Sequence, residues 1–243
     1  MTLHAFSKLQ GAIYLIASRA CRTGTTGLFY IVIAIFSVFL VAATAGCSAL
    51  PDKPARSLMY DFGPGELVAQ PPPRQATLSA VAIDDISTPG GALDNMAVLY
   101  RLAYADAQQL RPYSQARWSM PPAQLVRQRL RAQLGQRRAV FNAGNSAALN
   151  RSNNAAPPPL LRLELEEFSH VFTAPDTSFG LIRLRASLFE VTPGGDRLIG
   201  QRNVTVQRPA ASADAAGGVK ALTAATDVAI EEIDQWLQQT PNR

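Results

Sequence analysis

The residues able to do chemistry are few. The chain has two cysteines, Cys21 and Cys47, and two histidines, His4 and His170. A metal centre needs three or four His, Cys or carboxylate ligands brought together, yet beyond Cys47 there is one histidine and no further thiol. A Ser-His-Asp relay would have to run through His170, which sits between Phe168 and Phe172 with no nucleophile elbow nearby. Glu164, Glu166 and Glu167 could be offered as an acid pair for glycoside chemistry. Strand carboxylates beside arginine-bearing strands more often form cross-strand ion pairs. Gly90-Gly91 and Gly194-Gly195 lack the lysine of a phosphate loop and read as turns. The expectation is a protein with no catalytic residues, no cofactor and no metal.

Cys47 is different, because the sequence before it selects its chemistry. Leu28 to Val41 is almost unbroken apolar sequence, followed by Ala42, Ala43, Thr44, Ala45 and Gly46. A basic segment, an apolar run and a small-residue cleavage site make up a secretory signal peptide. A cysteine directly after Ala45-Gly46 resembles a bacterial lipobox, in which the thiol is acylated and becomes the new N-terminus. The expected organisation is a signal peptide over residues 1–46 and a lipid anchor on Cys47. An uncleaved membrane anchor is the competing reading, since Leu28 to Ala45 is 18 residues, at the edge of bilayer-spanning length. Thr44 stands where a lipobox usually has leucine, and Met1 to Gly27 is long for a basic leader. Either reading places the rest of the chain outside the cytoplasm.

Cleavage after Gly46 would leave 197 of the 243 residues, enough for one domain and flexible pieces. Lys8, Arg19 and Arg22 are the charges lost with the leader, so a net charge of +5 falls to +2. A charge of +2 does not argue for nucleic acid, which calls for a concentrated basic face. Without free cysteines the domain must be held by its core, and 47% hydrophobic residues can supply one.

The elements that position these residues follow from periodicity. Residues 47–75 read as a Pro/Gly-rich tether, with Leu58-Met59-Tyr60-Asp61-Phe62 alternating as a short strand able to dock on a domain edge. Residues 76–239 read as the domain. Strands are predicted over Thr77–Ile86, Asn95–Tyr104, Arg138–Asn142, Leu160–Phe172, Leu181–Val191 and Arg197–Gln207, with a polar stretch from Ala105 to Trp118. The inward phase changes between Leu161/Leu163/Leu165 and Phe168/His170/Phe172, which predicts a β-bulge near Glu166-Glu167. Pro121-Pro122 opens a helix that runs to Leu134 before Gly135. A second helix runs from Asp214 or Gly218 to Leu237. The arginines at 127, 129, 131, 137 and 138 read as a solvated face, or as a contact for anionic headgroups. A loop rich in Asn, Ala and Pro, expected to be mobile, covers about 143–159. Tyr100, Tyr104, Tyr113, Trp118, Phe168, Phe172 and Phe179 form either the core or an exposed groove, and the core is favoured. The fold class is α+β: a mainly antiparallel sheet with two helices on one side, preceded by a signal peptide and a flexible tether.

The order of these features resembles a known family. A lipobox cysteine is followed by Tyr60-x-Phe62, then Tyr100-Arg101-Leu102, then Tyr113, Trp118 and Pro121-Pro122 leading into a helix with Leu125 and Leu130. Next come Leu161, Leu163, Leu165 and Phe168, an arginine-bearing hairpin, and a last helix with Trp236. The sequence from about Leu58 to Leu237 resembles the ABC-type transport auxiliary lipoproteins, the family of paraquat-inducible protein C. The resemblance implies a non-catalytic outer-membrane lipoprotein facing the periplasm. It would work with an ABC permease complex and a mammalian-cell-entry-domain protein in lipid transport, with a homo-oligomer as one arrangement. It also implies that Cys47 carries the anchor. Ser48, where aspartate would retain a lipoprotein in the inner membrane, permits outer-membrane sorting. Tyr100, Arg101, Trp118 and Pro122 match the family pattern as partner-contact or fold residues. A lipoprotein that activates a peptidoglycan synthase is the alternative.

Overall fold

A computed structural model describes residues 30–37, 56–64, 78–143 and 157–240 of the 243-residue chain. Cys47, Ser48, the rest of the expected signal peptide, most of the tether and residues 144–156 of the expected loop lie outside the described residues. The chain divides into two units, Met1–Ala55 and Arg56–Arg243. In the first, residues 30–37 form helix α1, with Tyr30, Val32, Ile33, Ile35 and Phe36 exposed. No described helix is long and apolar enough to cross a membrane.

The second unit contains one eight-stranded sheet and two helices among the described residues. Its frame is a meander of three long strands: β6 (Leu160–Ala174), β7 (Thr177–Thr192) and β8 (Gly195–Pro209). Each alternates apolar and polar residues, so one face is dry and the other wet. Leu161, Leu163 and Leu165 of β6, Ile182, Leu184 and Ala186 of β7, and Val204 and Val206 of β8 are buried. Register slips between Leu165↔Leu184 and Glu167↔Arg183, leaving Glu166 as the extra residue, so the predicted bulge is present. Its effect is that Phe168, His170 and Phe172 take over the buried phase that Leu165 ends.

The other long side of β6 is shared end to end. At its start it pairs in parallel with β2 (Leu78–Ile83), through Ala82↔Leu160 and Ile83↔Leu161, and Ser87 bridges to Glu164. At its far end it pairs in parallel with β3 (Ala97–Leu102), through Tyr100↔His170 to Leu102↔Phe172. Strand β5 (Arg138–Asn142) lies beyond β2, and β4 (Asp106–Trp118) and then β1 (Leu58–Tyr60) lie beyond β3. Antiparallel pairing dominates because the two longest ladders, β6–β7 and β7–β8, carry it. The β1–β4, β2–β5, β2–β6 and β3–β6 pairings are parallel.

One expectation is corrected here. The polar stretch before Trp118 is strand β4, thirteen residues long. Its first residues, Asp106–Gln109, are exposed, so no apolar alternation marks them. Pairing with β3 on one side and β1 on the other supplies the order that composition does not. The short strand at Leu58–Tyr60 docks on the sheet edge as predicted.

Helix α2 (Pro122–Leu134) has Pro122 in its first turn, where the missing N–H costs nothing, and buries Leu125, Val126, Leu130 and Leu134. Helix α3 (Ala215–Gln239) is capped by Asp214, whose carboxylate accepts from the Gly217 N–H at 2.7 Å. It lies across β7, β8 and β6, and α2 packs beside it and on β5. Close packing of α3 needs glycine at two points. A Cβ on Gly180 of β7 would sit 2.6 Å from the Ala221 carbonyl carbon, and one on Gly218 would sit 2.6 Å from Cγ of His170.

Candidate functional site

The residues with chemical potential gather where α3 begins. His170 is wholly buried. Its Nδ1 is 2.9 Å from the Tyr113 hydroxyl on β4, and its Nε2 is 2.8 Å from Ser178 Oγ on β7. Both hydroxyls rotate, so the pair serves either neutral tautomer. Tyr100 stacks obliquely on Tyr113 with ring centroids 4.6 Å apart, and Phe172 lies 4.4 Å from the imidazole. Burial lowers the His170 pKa to about 4 against the opposing pull of Asp214. Burial pushes the Tyr113 phenol well above its ordinary value, with Tyr100 and Asp214 adding to it. The Gly217 N–H and Ser212 hold the Asp214 carboxyl below its usual range.

A serine, a histidine and a third hydrogen-bonding group in series have the outline of a nucleophilic relay. Here the third group is a phenol, not a carboxylate. Ser178 is 7% exposed, and α3 closes over the ring at Gly218. The arrangement satisfies a buried imidazole and ties β4, β6 and β7 together under the first turns of α3. His170 is therefore a fully enclosed core residue. Its partners lie 57 and 8 residues away. The legible signal was the change of phase on β6, which points His170 inward.

Tyr100, Arg101, Trp118 and Pro122 do not converge on one site. Tyr100 joins the cluster around Tyr113 and Phe172. Arg101 turns to the other face, where Nε and Nη2 donate to the two oxygens of Glu167 at 3.2 and 3.0 Å. Its Nη1 donates to the carbonyls of Ala107 and Gln108 at 3.2 and 3.1 Å. This guanidinium clamps the β3–β4 turn to β6. Trp118 is wholly buried, with its ring 5.7 Å from Phe62 edge-on and 5.6 Å from Phe168. Pro122 is buried at the start of α2. All four make contacts within the domain. Tyr104, at 49% exposure, is the member of the aromatic set that faces solvent.

The remaining candidates are engaged in ion pairs. Glu164 and Glu166 both take Arg185 of β7, and Glu167 takes Arg101, which accounts for the acidic cluster. The arginines around α2 are paired within the domain, Arg138 buried and the others partly exposed. Arg127 meets Asp85 at 2.9 Å, Arg129 forks onto Asp227 at 2.7 and 3.0 Å, and Arg131 reaches Asn142 at 2.6 Å. Arg137 and Arg138 share Asp234 at 3.4 and 2.5 Å. Among the described residues no three His, Cys, Asp or Glu side chains come together as metal ligands.

The candidate residues are taken up in contacts within the domain, and comparison with known proteins gives the family. Residues 60–234, from β1 almost to the end of α3, match the ABC-type transport auxiliary lipoprotein component family. The chain belongs to that family. The match starts within the docked β1 strand and takes in the His170 network, the Arg101 clamp and both packed helices. Among solved structures, a protein from Xanthomonas campestris assigned to the DUF330 family is similar, with a TM-score of 0.59 and 18% identity over 76% of this chain and 96% of that one. An uncharacterized protein gives a TM-score of 0.52 and 14% identity over 75% and 99% of the two chains. At such identities the likeness is one of fold. No curated protein matches the sequence. As a member of this family the chain is a transport auxiliary lipoprotein, a component associated with ABC-type transport.

Proposed function

We propose that this auxiliary lipoprotein is a non-catalytic, outer-membrane subunit of a lipid transport system of the ABC and mammalian-cell-entry type. It docks or stabilises the periplasmic partner at the outer membrane, as one subunit or as a homo-oligomer. Membership of the transport auxiliary family over residues 60–234 carries the reading. The chemistry supports it: His170 and the acidic cluster are consumed in internal hydrogen bonds and ion pairs. Acylation at Cys47 would supply more than one acyl chain, enough for stable anchoring. A tether after it keeps the domain at high local concentration beside a membrane-held partner. Ser48 at the sorting position supports the outer membrane as the destination.

Intact mass and membrane fractionation of the wild type and Cys47→Ser, followed by co-purification, test the proposal. The expected result is a mature species acylated at residue 47 in the outer membrane, lost in the variant, that captures a mammalian-cell-entry-domain protein. A species retaining Met1 in the inner membrane sinks the outer-membrane assignment. Capture of a peptidoglycan synthase in place of the transport partner sinks the transport role.

A further inference from the structure

Five large apolar side chains of the Arg56–Arg243 unit stand exposed among its described residues: Leu58, Met59, Met96, Tyr104 and Leu198. Three of them collect at one sheet edge. Met59 on β1 pairs with Arg117 on β4, and Arg117 pairs with Ala97 on β3, the residue after Met96. The next β4 residue, Trp118, donates its N–H to the Met96 carbonyl at 2.7 Å. Arg117 thus lies opposite Met59 on β1 and Ala97 on β3, and Met96 immediately precedes β3. Leu58, Met59 and Met96 are 60%, 66% and 47% exposed. Strand β1 is outermost on this side of the sheet.

Charge accompanies the apolar group. The Arg117 guanidinium donates to the carbonyls of Tyr113 and Ala116, and no described carboxylate pairs with it. Arg56 is exposed two residues before Leu58. Arginine beside methionine and leucine suits a lipid interface, where the cation meets headgroups and the apolar groups enter the acyl boundary. A strand of three residues is a poor template for strand addition, which draws its affinity from a long run of backbone hydrogen bonds.

Chain length supplies the occupant. Leu58 is eleven residues from Cys47, so a chain acylated there can carry β1 no more than about 40 Å from the bilayer. We infer that the β1 edge docks on the membrane that holds the anchor. Leu58, Met59 and Met96 insert at the headgroup–acyl boundary, and Arg117 and Arg56 meet anionic headgroups. This rests on the reading of Cys47 as the lipid anchor.

The test uses the mature lipoprotein in vesicles of phosphatidylethanolamine and phosphatidylglycerol. Met59→Cys introduces the sole free thiol if Cys47 is acylated, and it carries a polarity-sensitive fluorophore. Leu198→Cys on β8, also exposed, is the reference. The expected result is a blue shift and several-fold stronger quenching by brominated lipid at position 59 than at 198, weakened by Arg117→Gln. Equal quenching at both positions, or none at 59, overturns the docking. A blue shift at 59 without lipid quenching means that protein covers the edge, a second copy included, and overturns it as well. Intact mass separates the two readings: an acylated chain with no quenching loses the docking alone, whereas an unacylated chain loses the anchor and the docking with it.

Discussion

Replacing Gly218 by alanine tests whether the His170 network fixes the seat of α3. In an exposed helix interior, glycine to alanine gains about 1 kcal/mol. Here the new Cβ would lie 2.6 Å from Cγ of the imidazole and closer still to Nδ1. The ring cannot swing aside without giving up Tyr113 or Ser178, each within 2.9 Å. Overpacking a tight core costs about 1–3 kcal/mol, and leaving one buried ring nitrogen unpaired costs about 1–3 kcal/mol more. After the propensity gain, Gly218→Ala should destabilise by about 1–5 kcal/mol. Equilibrium urea unfolding, followed by fluorescence of buried Trp118, measures it. The double variant with His170→Ala removes the obstruction, so in that background the second methyl should recover the ordinary gain of about 1 kcal/mol. A Gly218→Ala protein as stable as the wild type would refute the close approach and with it the role assigned to the network.

Acid should weaken the fold through the same residue. The folded-state pKa of His170 is about 4 against an ordinary 6.5, so between these values the unfolded chain binds the extra proton. Stability should be full above pH 6.5 and fall towards pH 4 by about 3 kcal/mol, and in urea titrations His170→Gln should flatten that window. Arg101→Lys keeps the charge but loses the two-pronged grip on Glu167 and one or both turn carbonyls, at a cost of about 1–2 kcal/mol. Faster amide exchange at Ala107–Gln108 would locate the loss, and unchanged exchange there would contradict the clamp.

Where one face of a strand is dry, the sequence was readable. The alternation on β6, β7 and β8, the bulge at Glu166 and the proline start of α2 all follow from a buried stripe meeting a fixed period. Strand β4 was not readable, because Asp106 to Gln109 lie exposed and its order comes from pairing with β3 and β1 rather than from an apolar face of its own. The ion pairs of the arginines at 127, 129, 137 and 138 were not legible for a related reason. Their partners Asp85, Asp227 and Asp234 are distant along the chain, and helical spacing alone shows only a cationic face. Tyr100, Arg101, Trp118 and Pro122, four of the positions on which the resemblance rests, do not share a site in the structure. Each closes a different joint: Trp118 and Pro122 the join of β4 to α2, Tyr100 the aromatic cluster, Arg101 the β3–β4 turn.

Strands β1 and β8, two of the outermost strands of the described sheet, are unlike, and the difference bears on function. Strand β8 offers fifteen residues of edge but places Asp196, Arg197, Arg202 and Arg208 along it. Charged side chains on a long edge oppose indiscriminate strand addition. Strand β1 offers three residues, with Leu58 and Met59 exposed and no acid among them. A soluble domain gains nothing from leaving that apolar pair in water, and helix α3 with its whole buried stripe shows that this chain can cover apolar residues where coverage is available. The exposed pair lies close in sequence to the cysteine expected to hold the lipid. Exposure there is explained if the bilayer completes the edge, whereas β8 carries the charges of a strand that faces water.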